Sequence, residues 1–209
     1  MQPVRRSPLR LLISFCLGMM VAGGLTYMAL KPPHRRHEIT PVKEGVLYRS
    51  GQLEPQQLAE EIRSRGIKTV VNLGSRHNWD EQVCQENGVR YVDLPVGDVW
   101  CLCGVAGPPY PEAPPQYDVT ALWQLLEQPE AQPVLIHCWG GVHRTGVISA
   151  VYRIRHEGWT AEEAIREMDL YGFDSHKDKF DTVRAHLYEL EHQVRSERLA
   201  AAHGAIENR

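Results

Sequence analysis

The chain has 209 residues, 43% of them hydrophobic and 23% charged, which allows one well-buried domain plus a terminal segment and lies outside collagen-like or disordered composition. The net charge of −3 is unevenly spread: residues 1–37 carry six Lys or Arg and no acid, leaving 17 bases and 26 acids in the remainder, a formal −9. An acidic body repels a nucleic-acid backbone, so DNA and RNA are not expected as partners.

Residues 1–10 form a basic N-terminal segment containing Arg5, Arg6 and Arg10. Leu11 to Leu30 (LLISFCLGMMVAGGLTYMAL) then runs for 20 residues without a charge. At about 1.5 Å rise per residue this just spans a bilayer core as a helix. It is longer than the apolar core of a removed signal peptide, about 7–15 residues, and no clear small-x-small site precedes Lys31. The expectation for 11–30 is an uncleaved single-pass transmembrane signal-anchor, with a removed signal peptide as the alternative. Positive charges flank both ends, so charge discriminates orientation only weakly. An anchor of this form most often leaves the body on the non-cytoplasmic side.

Residues 31–45 (KPPHRRHEITPVKEG) read as a linker, rich in Pro and charge and without periodicity. A domain is expected over 46–194. Val46-Leu47-Tyr48 predicts a short strand, Glu54 to Arg65 a helix ending at Gly66, and Ile67 to Leu73 a buried β-branched strand. Asp80 to Asn87 predicts a helix closed by Gly88, and Val89 to Val96 a strand. A long Pro- and Gly-rich stretch, Gly97 to Pro115, leads to a helix over Tyr117 to Glu127 and a strand over Pro133 to His137. Arg144 to His156, Ala161 to Tyr171 and Asp178 to Leu199 predict three closing helices. Phe180, Val183, Leu187, Leu190 and Val194 mark the packing face of the last. Residues 195–209 read as a polar tail prone to fray. Strands alternating with helices predict an α/β domain with a central, mostly parallel sheet flanked by helices.

Five cysteines (Cys16, Cys84, Cys101, Cys103 and Cys138) give neither a CxxC zinc pattern nor an even disulfide count. Cys101-x-Cys103 reads as a pair of ordinary loop thiols, with a redox or soft-metal site as the alternative.

The chemistry concentrates in Val134-Leu-Ile-His-Cys138-Trp-Gly-Gly-Val-His-Arg144-Thr-Gly. An apolar strand enters a Gly-containing loop, which enters a helix. Backbone N–H groups of Trp139, Gly140, Gly141, Val142 and His143 at a helix N-terminus converge on one point, where the helix dipole favours an anion. Gly140 and Gly141 allow the turn that aims them. Arg144 can grip two phosphate oxygens through its planar fork. The same positive field favours a thiolate at Cys138, able to attack phosphorus in line and form a phosphocysteine. Thr145 can donate a hydrogen bond to the departing thiolate, and His137 reads as a loop organiser rather than a base.

HCWGGVHRTG resembles the HCxxGxxR(S/T)G loop of the cysteine-based protein tyrosine phosphatases, nearest the compact dual-specificity type. LYRSGQL (47–53), GIKTVVNL (66–73) and the helices of 160–190 resemble the atypical plant, fungal and bacterial branch. The resemblance covers about residues 45–190. It implies a dual-specificity phosphatase-like fold and hydrolysis of phosphate monoesters, with a phosphorylated protein or a small phosphate monoester as partner and no metal or other cofactor. It also implies a general acid on the loop after the strand that precedes the long connection. Asp98 fits best, and Asp93 and Glu112 are the other candidates.

After Asp98 the chain departs from the family. Trp100 to Pro115 is long and apolar for a solvated loop, which fits a lid, a partner-docking edge or a packed loop. Between Cys138 and Arg144 only His143 can be cationic, which disfavours highly anionic inositol phosphates. Trp139 at the loop's rim suits an aromatic ester such as phosphotyrosine, or packs against the body. The alternatives are a phosphate-reading module without turnover, a phosphatase acting on a lipid or small-molecule phosphate, and, less favoured, sulfur transfer or arsenate reduction.

Overall fold

In the computed structural model, which describes residues 38–74, 77, 79–94 and 120–207, the apolar runs form five strands. These are β1 (Thr40–Lys43), β2 (Leu47–Gly51), β3 (Thr69–Asn72), β4 (Arg90–Asp93) and β5 (Val134–Cys138). They pair in the order β1-β2-β5-β3-β4, parallel except for β1 against β2. The helices are α1 (Pro55–Arg65), α2 (Trp79–Glu86), α3 (Thr120–Leu126), α4 (His143–Tyr152), α5 (Ala161–Leu170) and α6 (Asp181–Glu207). A wider π-type turn over Arg153–Glu157 extends α4.

Side chains alternate across a strand, so the sheet has two apolar faces. Leu47, Val71, Val134 and Ile136 belong to the larger core, with residues of α3, α4, α5 and α6. Tyr48, Val70 and Leu135 belong to the smaller one, with Leu58 and Ile62 of α1 and Val83 and Cys84 of α2. This is the central, mostly parallel sheet flanked by helices that strand–helix alternation predicts.

Local chemistry sets the helix ends. Pro55 opens α1, and Gly66 closes it in the left-handed region at φ 63°. Thr160 and Glu163 form a reciprocal capping box at the start of α5.

Two expectations need correction. The stretch read as a linker, 31–45, contains β1. Its alternation lasts four residues, with Thr40 and Val42 buried and Pro41 and Lys43 exposed, too few to register as a pattern. Pro41 is tolerated because β1 lies at the sheet edge, and Lys43 protects that edge from further pairing. At the other end, α6 continues through the polar stretch expected to fray, as far as Glu207. Its Leu, Ala, Arg and Glu residues are strong helix formers, and Arg198 donates to the Arg155 carbonyl at 2.8 Å.

Leu11 to Leu30 lies outside the described residues. Among the described residues no helix is long and apolar enough to cross a membrane.

The predicted packing face of the last helix, from Phe180 to Val194, is buried throughout. Leu187→Ala is therefore expected to cost about 2–5 kcal/mol in urea unfolding, whereas exposed Leu199→Ala should stay within about 0.5 kcal/mol. Equal effects at the two positions would contradict this packing.

Candidate active site

β5 is buried along its length and lies between two parallel neighbours, β2 and β3. In open parallel sheets ligands bind beyond the carboxyl ends of the strands. Here those ends meet: Gly51 is in register with Cys138, and Asn72 with His137. The main chain leaving β5 is then held from both sides. The Trp139 N–H donates to the Gly74 carbonyl at 3.2 Å, and the Gln52 N–H donates to the Trp139 carbonyl at 3.2 Å. Cys138, 5% exposed, is thus fixed at the base of the loop.

Gly141 is the tight point of that loop. Its φ is +65°, and a Cβ there would lie 2.5 Å from the Gly51 nitrogen and 2.7 Å from the Ser50 carbonyl carbon. No other residue fits without displacing β2. Val142, buried, caps α4, and His143 begins it. The His143 ring lies 5.5 Å from Phe173 and 5.4 Å from Phe180, which fastens the loop to the turn before α6. Trp139 is 47% exposed beside Cys138, and Gly140 has open space where a Cβ would be.

Arg144 lies in the first turn of α4, and its Nη1 donates to the Gly74 carbonyl at 2.9 Å. Gly74 allows this approach: at φ +109°, a Cβ on it would be 2.7 Å from that nitrogen. One carbonyl therefore orients both the Arg144 guanidinium and the Trp139 backbone. Thr145 is fully buried, and its hydroxyl has no hydrogen-bond partner among the described residues.

His137, directly before Cys138, is buried, and burial pushes its pKa down to about 4. It is neutral at physiological pH, and neither ring nitrogen has a hydrogen-bond partner among the described residues. Its Nε2 lies 3.8 Å from the Asp80 carboxylate, too far for a hydrogen bond. Asp80 instead accepts from the Gln52 amide at 3.1 Å, joining the loop after β2 to α2.

Gly74 and Arg49 escaped the sequence reading, although both stand in or beside stretches that resemble the family. Arg49 lies on β2 beneath the loop and donates from Nη2 to the Gly141 carbonyl at 2.8 Å. The one available signal was its place directly after the short strand predicted over Val46-Leu47-Tyr48.

Of the expected acids, Asp98 and Glu112 lie outside the described residues, as do Cys16, Cys101, Cys103 and the Gly97 to Pro115 stretch. Asp93 ends β4 at the sheet edge and is exposed. Cys84 is buried, and burial together with the charge of Asp80 pushes its thiol up to about 12, which makes it inert.

The family model described as "DSP-PTPase phosphatase fused to NAD+ Kinase" matches residues 33–185. The chain is 29% identical over 218 residues to the dual specificity protein phosphatase TpbA of Pseudomonas aeruginosa (strain UCBPP-PA14), covering 96% of this chain and 89% of that protein. The crystal structure of P. aeruginosa TpbA aligns with a TM-score of 0.52 at 25% identity, covering 78% of this chain and 98% of that one. A second crystal structure of TpbA, a variant in complex with pTyr, aligns at 0.52 with 23% identity over 77% and 96% of the two chains. The core catalytic domain of the PP-IP phosphatase SIW14 from S. cerevisiae shares the fold, with a TM-score of 0.55 at 18% identity over 78% and 93%.

Neutral, buried His137 has a consequence for acid stability. Its pKa is about 4 folded against 6.5 unfolded, so the unfolded chain binds the proton more readily. The stability this confers is fully present above pH 6.5 and is lost as pH falls towards 4, by roughly 1.4 kcal/mol per unit. His137→Gln should flatten this part of the urea-midpoint profile between pH 6.5 and 4. Superimposable pH profiles for variant and wild type would show that His137 is not buried neutral.

Proposed function

Because the chain belongs to the cysteine-based phosphatases of the dual-specificity type, we propose that it is a membrane-tethered hydrolase whose preferred substrates are aryl phosphate monoesters such as phosphotyrosine. The observation that carries this reading is the meeting of Cys138, the N-terminus of α4 and the Gly74-fixed guanidinium of Arg144 at the carboxyl end of the sheet.

The chemistry runs in two steps. The substrate phosphate sits over the backbone N–H groups of the loop from Trp139 to His143, with Arg144 gripping its equatorial oxygens. The Cys138 thiolate attacks phosphorus as the bond to the ester oxygen breaks, and Asp98 gives that oxygen its proton. Water then attacks the phosphocysteine, loses a proton to Asp98 and releases inorganic phosphate and the thiolate. Thr145, buried next to Arg144, donates its unpaired hydroxyl to the thiolate as it leaves.

Trp139 supports the aryl preference, because its exposed ring beside Cys138 offers a stacking surface. The TpbA complex with pTyr lends weight to the same choice. The loop residues between Cys138 and Arg144 include no Lys, which argues against polyanionic inositol phosphates. The charge-free run of 11–30 supports the tether, and a signal-anchor of this form favours a non-cytoplasmic catalytic domain.

The full chain should hydrolyse p-nitrophenyl phosphate in the presence of EDTA. Cys138→Ser should lower kcat by more than about a thousandfold, and Arg144→Lys by on the order of 10²–10³. Asp98→Asn should remove the alkaline limb of the pH–rate profile, because that limb follows loss of the acid's proton. An unchanged limb would assign the acid elsewhere, and turnover surviving Cys138→Ser would overturn the mechanism. The tether is tested separately: the full chain should stay in the membrane fraction through alkaline carbonate extraction. A mature N-terminus beyond the apolar run would identify a removed signal instead.

A further inference from the structure

We propose that Arg49 is a positioning residue of the phosphate loop. From β2, it holds the Gly141–Val142 peptide so that the Val142 N–H faces the phosphate. The inference rests on the phosphatase reading above and adds to it a residue 92 positions before the loop glycine it holds.

Arg49 is 2% exposed and is among the largest fully buried side chains of the protein. Burying a guanidinium is costly, and an apolar residue of similar volume is often as stable or more so. The cost is not recovered in hydrogen bonds. Nη2 donates to the Gly141 carbonyl at 2.8 Å, but Nε and Nη1 have no partner among the described residues. Stability alone therefore does not explain the charge.

Its surroundings point to the loop. The guanidinium lies 3.8 Å from the centroid of the Tyr171 ring, whose hydroxyl donates to the Thr40 hydroxyl at 3.0 Å. Edge strand, aromatic ring and arginine thus form one stack that ends on the Gly141 carbonyl. Nη2 also approaches the first turn of α4, 3.7 Å from where a Cβ on Gly146 would lie.

Planarity of the peptide bond supplies the consequence. In a trans peptide the C=O and the next N–H point in opposite directions. A Gly141 carbonyl held towards Arg49 turns the Val142 N–H away from Arg49, towards the concavity over Cys138. Gly141 cannot relax out of this arrangement, because it is wedged against the backbone of Ser50 and Gly51.

The test compares full-chain Arg49→Met and Arg49→Lys with wild type, reading urea stability, kcat, KM and inhibition by orthovanadate. Arg49→Met should fold with stability near wild type, lose on the order of 10²-fold in kcat, as removal of one oxyanion donor does, and bind vanadate at least tenfold more weakly. Arg49→Lys keeps the charge and should recover part of both losses. A folded Arg49→Met with wild-type kcat and vanadate affinity would overturn the proposal. If neither variant folds, the wild-type protein decides: vanadate should shift the Val142 amide resonance and slow its hydrogen exchange, and an indifferent Val142 amide rejects the positioning role. A wild type that binds vanadate without turning over any ester would sink the phosphatase reading alone; weaker vanadate binding by Arg49→Met would then still support the positioning role, and unchanged binding would overturn it.

Discussion

The rest of the site depends on where β5 ends. A strand between two parallel neighbours cannot slide without breaking hydrogen bonds on both sides. The chain leaving β5 inherits that rigidity through the Trp139 main chain, which bonds to Gly74 on one flank and Gln52 on the other. Cys138 is therefore held by the sheet itself, and the loop above it turns around a fixed point. A cradle that must meet a tetrahedral anion with several N–H groups at once tolerates errors of only a few tenths of an ångström.

Two close approaches fit the loop to that frame, and both require glycine. Gly141 lies against the backbone of β2, and Gly74 beneath the Arg144 guanidinium. In each case a side chain would occupy space that a main-chain atom or a charged group already fills. The glycines serve proximity as much as flexibility. They let backbone carbonyls orient side chains that would otherwise sample several rotamers.

Polar groups under the loop follow a different logic from those on the surface. His137 is kept neutral by burial, Gln52 ties the loop after β2 to Asp80 on α2, and Arg49 is buried against the Gly141 carbonyl. Farther away, Arg153 is handled conventionally. It pairs with Glu167 at 2.7 Å and with Glu157, and donates to the Val42 carbonyl, fastening β1 to the helical layer. Arg153 is in direct contact with its countercharges; the direct contacts of Arg49 are a carbonyl and an aromatic ring. That contrast separates an arginine that holds the fold together from one placed for the loop.

Much of this was legible in the linear chain, because the signals are local. The β-branched run at Thr69–Asn72, the apolar run into Cys138, the glycines of the loop and the spacing of Val183, Leu187 and Leu190 each report on a few neighbouring residues. Strand, turn and helix form over that same range. Thr40–Lys43 went unread because four residues are too few for a period. Continuation of α6 to Glu207 went unread because polarity masked good helix propensity. The sequence by itself determined an α/β sheet with a Cys-loop-Arg anion cradle at the end of one strand. Only the tertiary structure decided what holds that cradle. Gly74 meets Arg144 across 70 residues, and Arg49 meets Gly141 across 92. Such contacts depend on strand order and register, and those are settled when distant strands pair, beyond the reach of any local pattern.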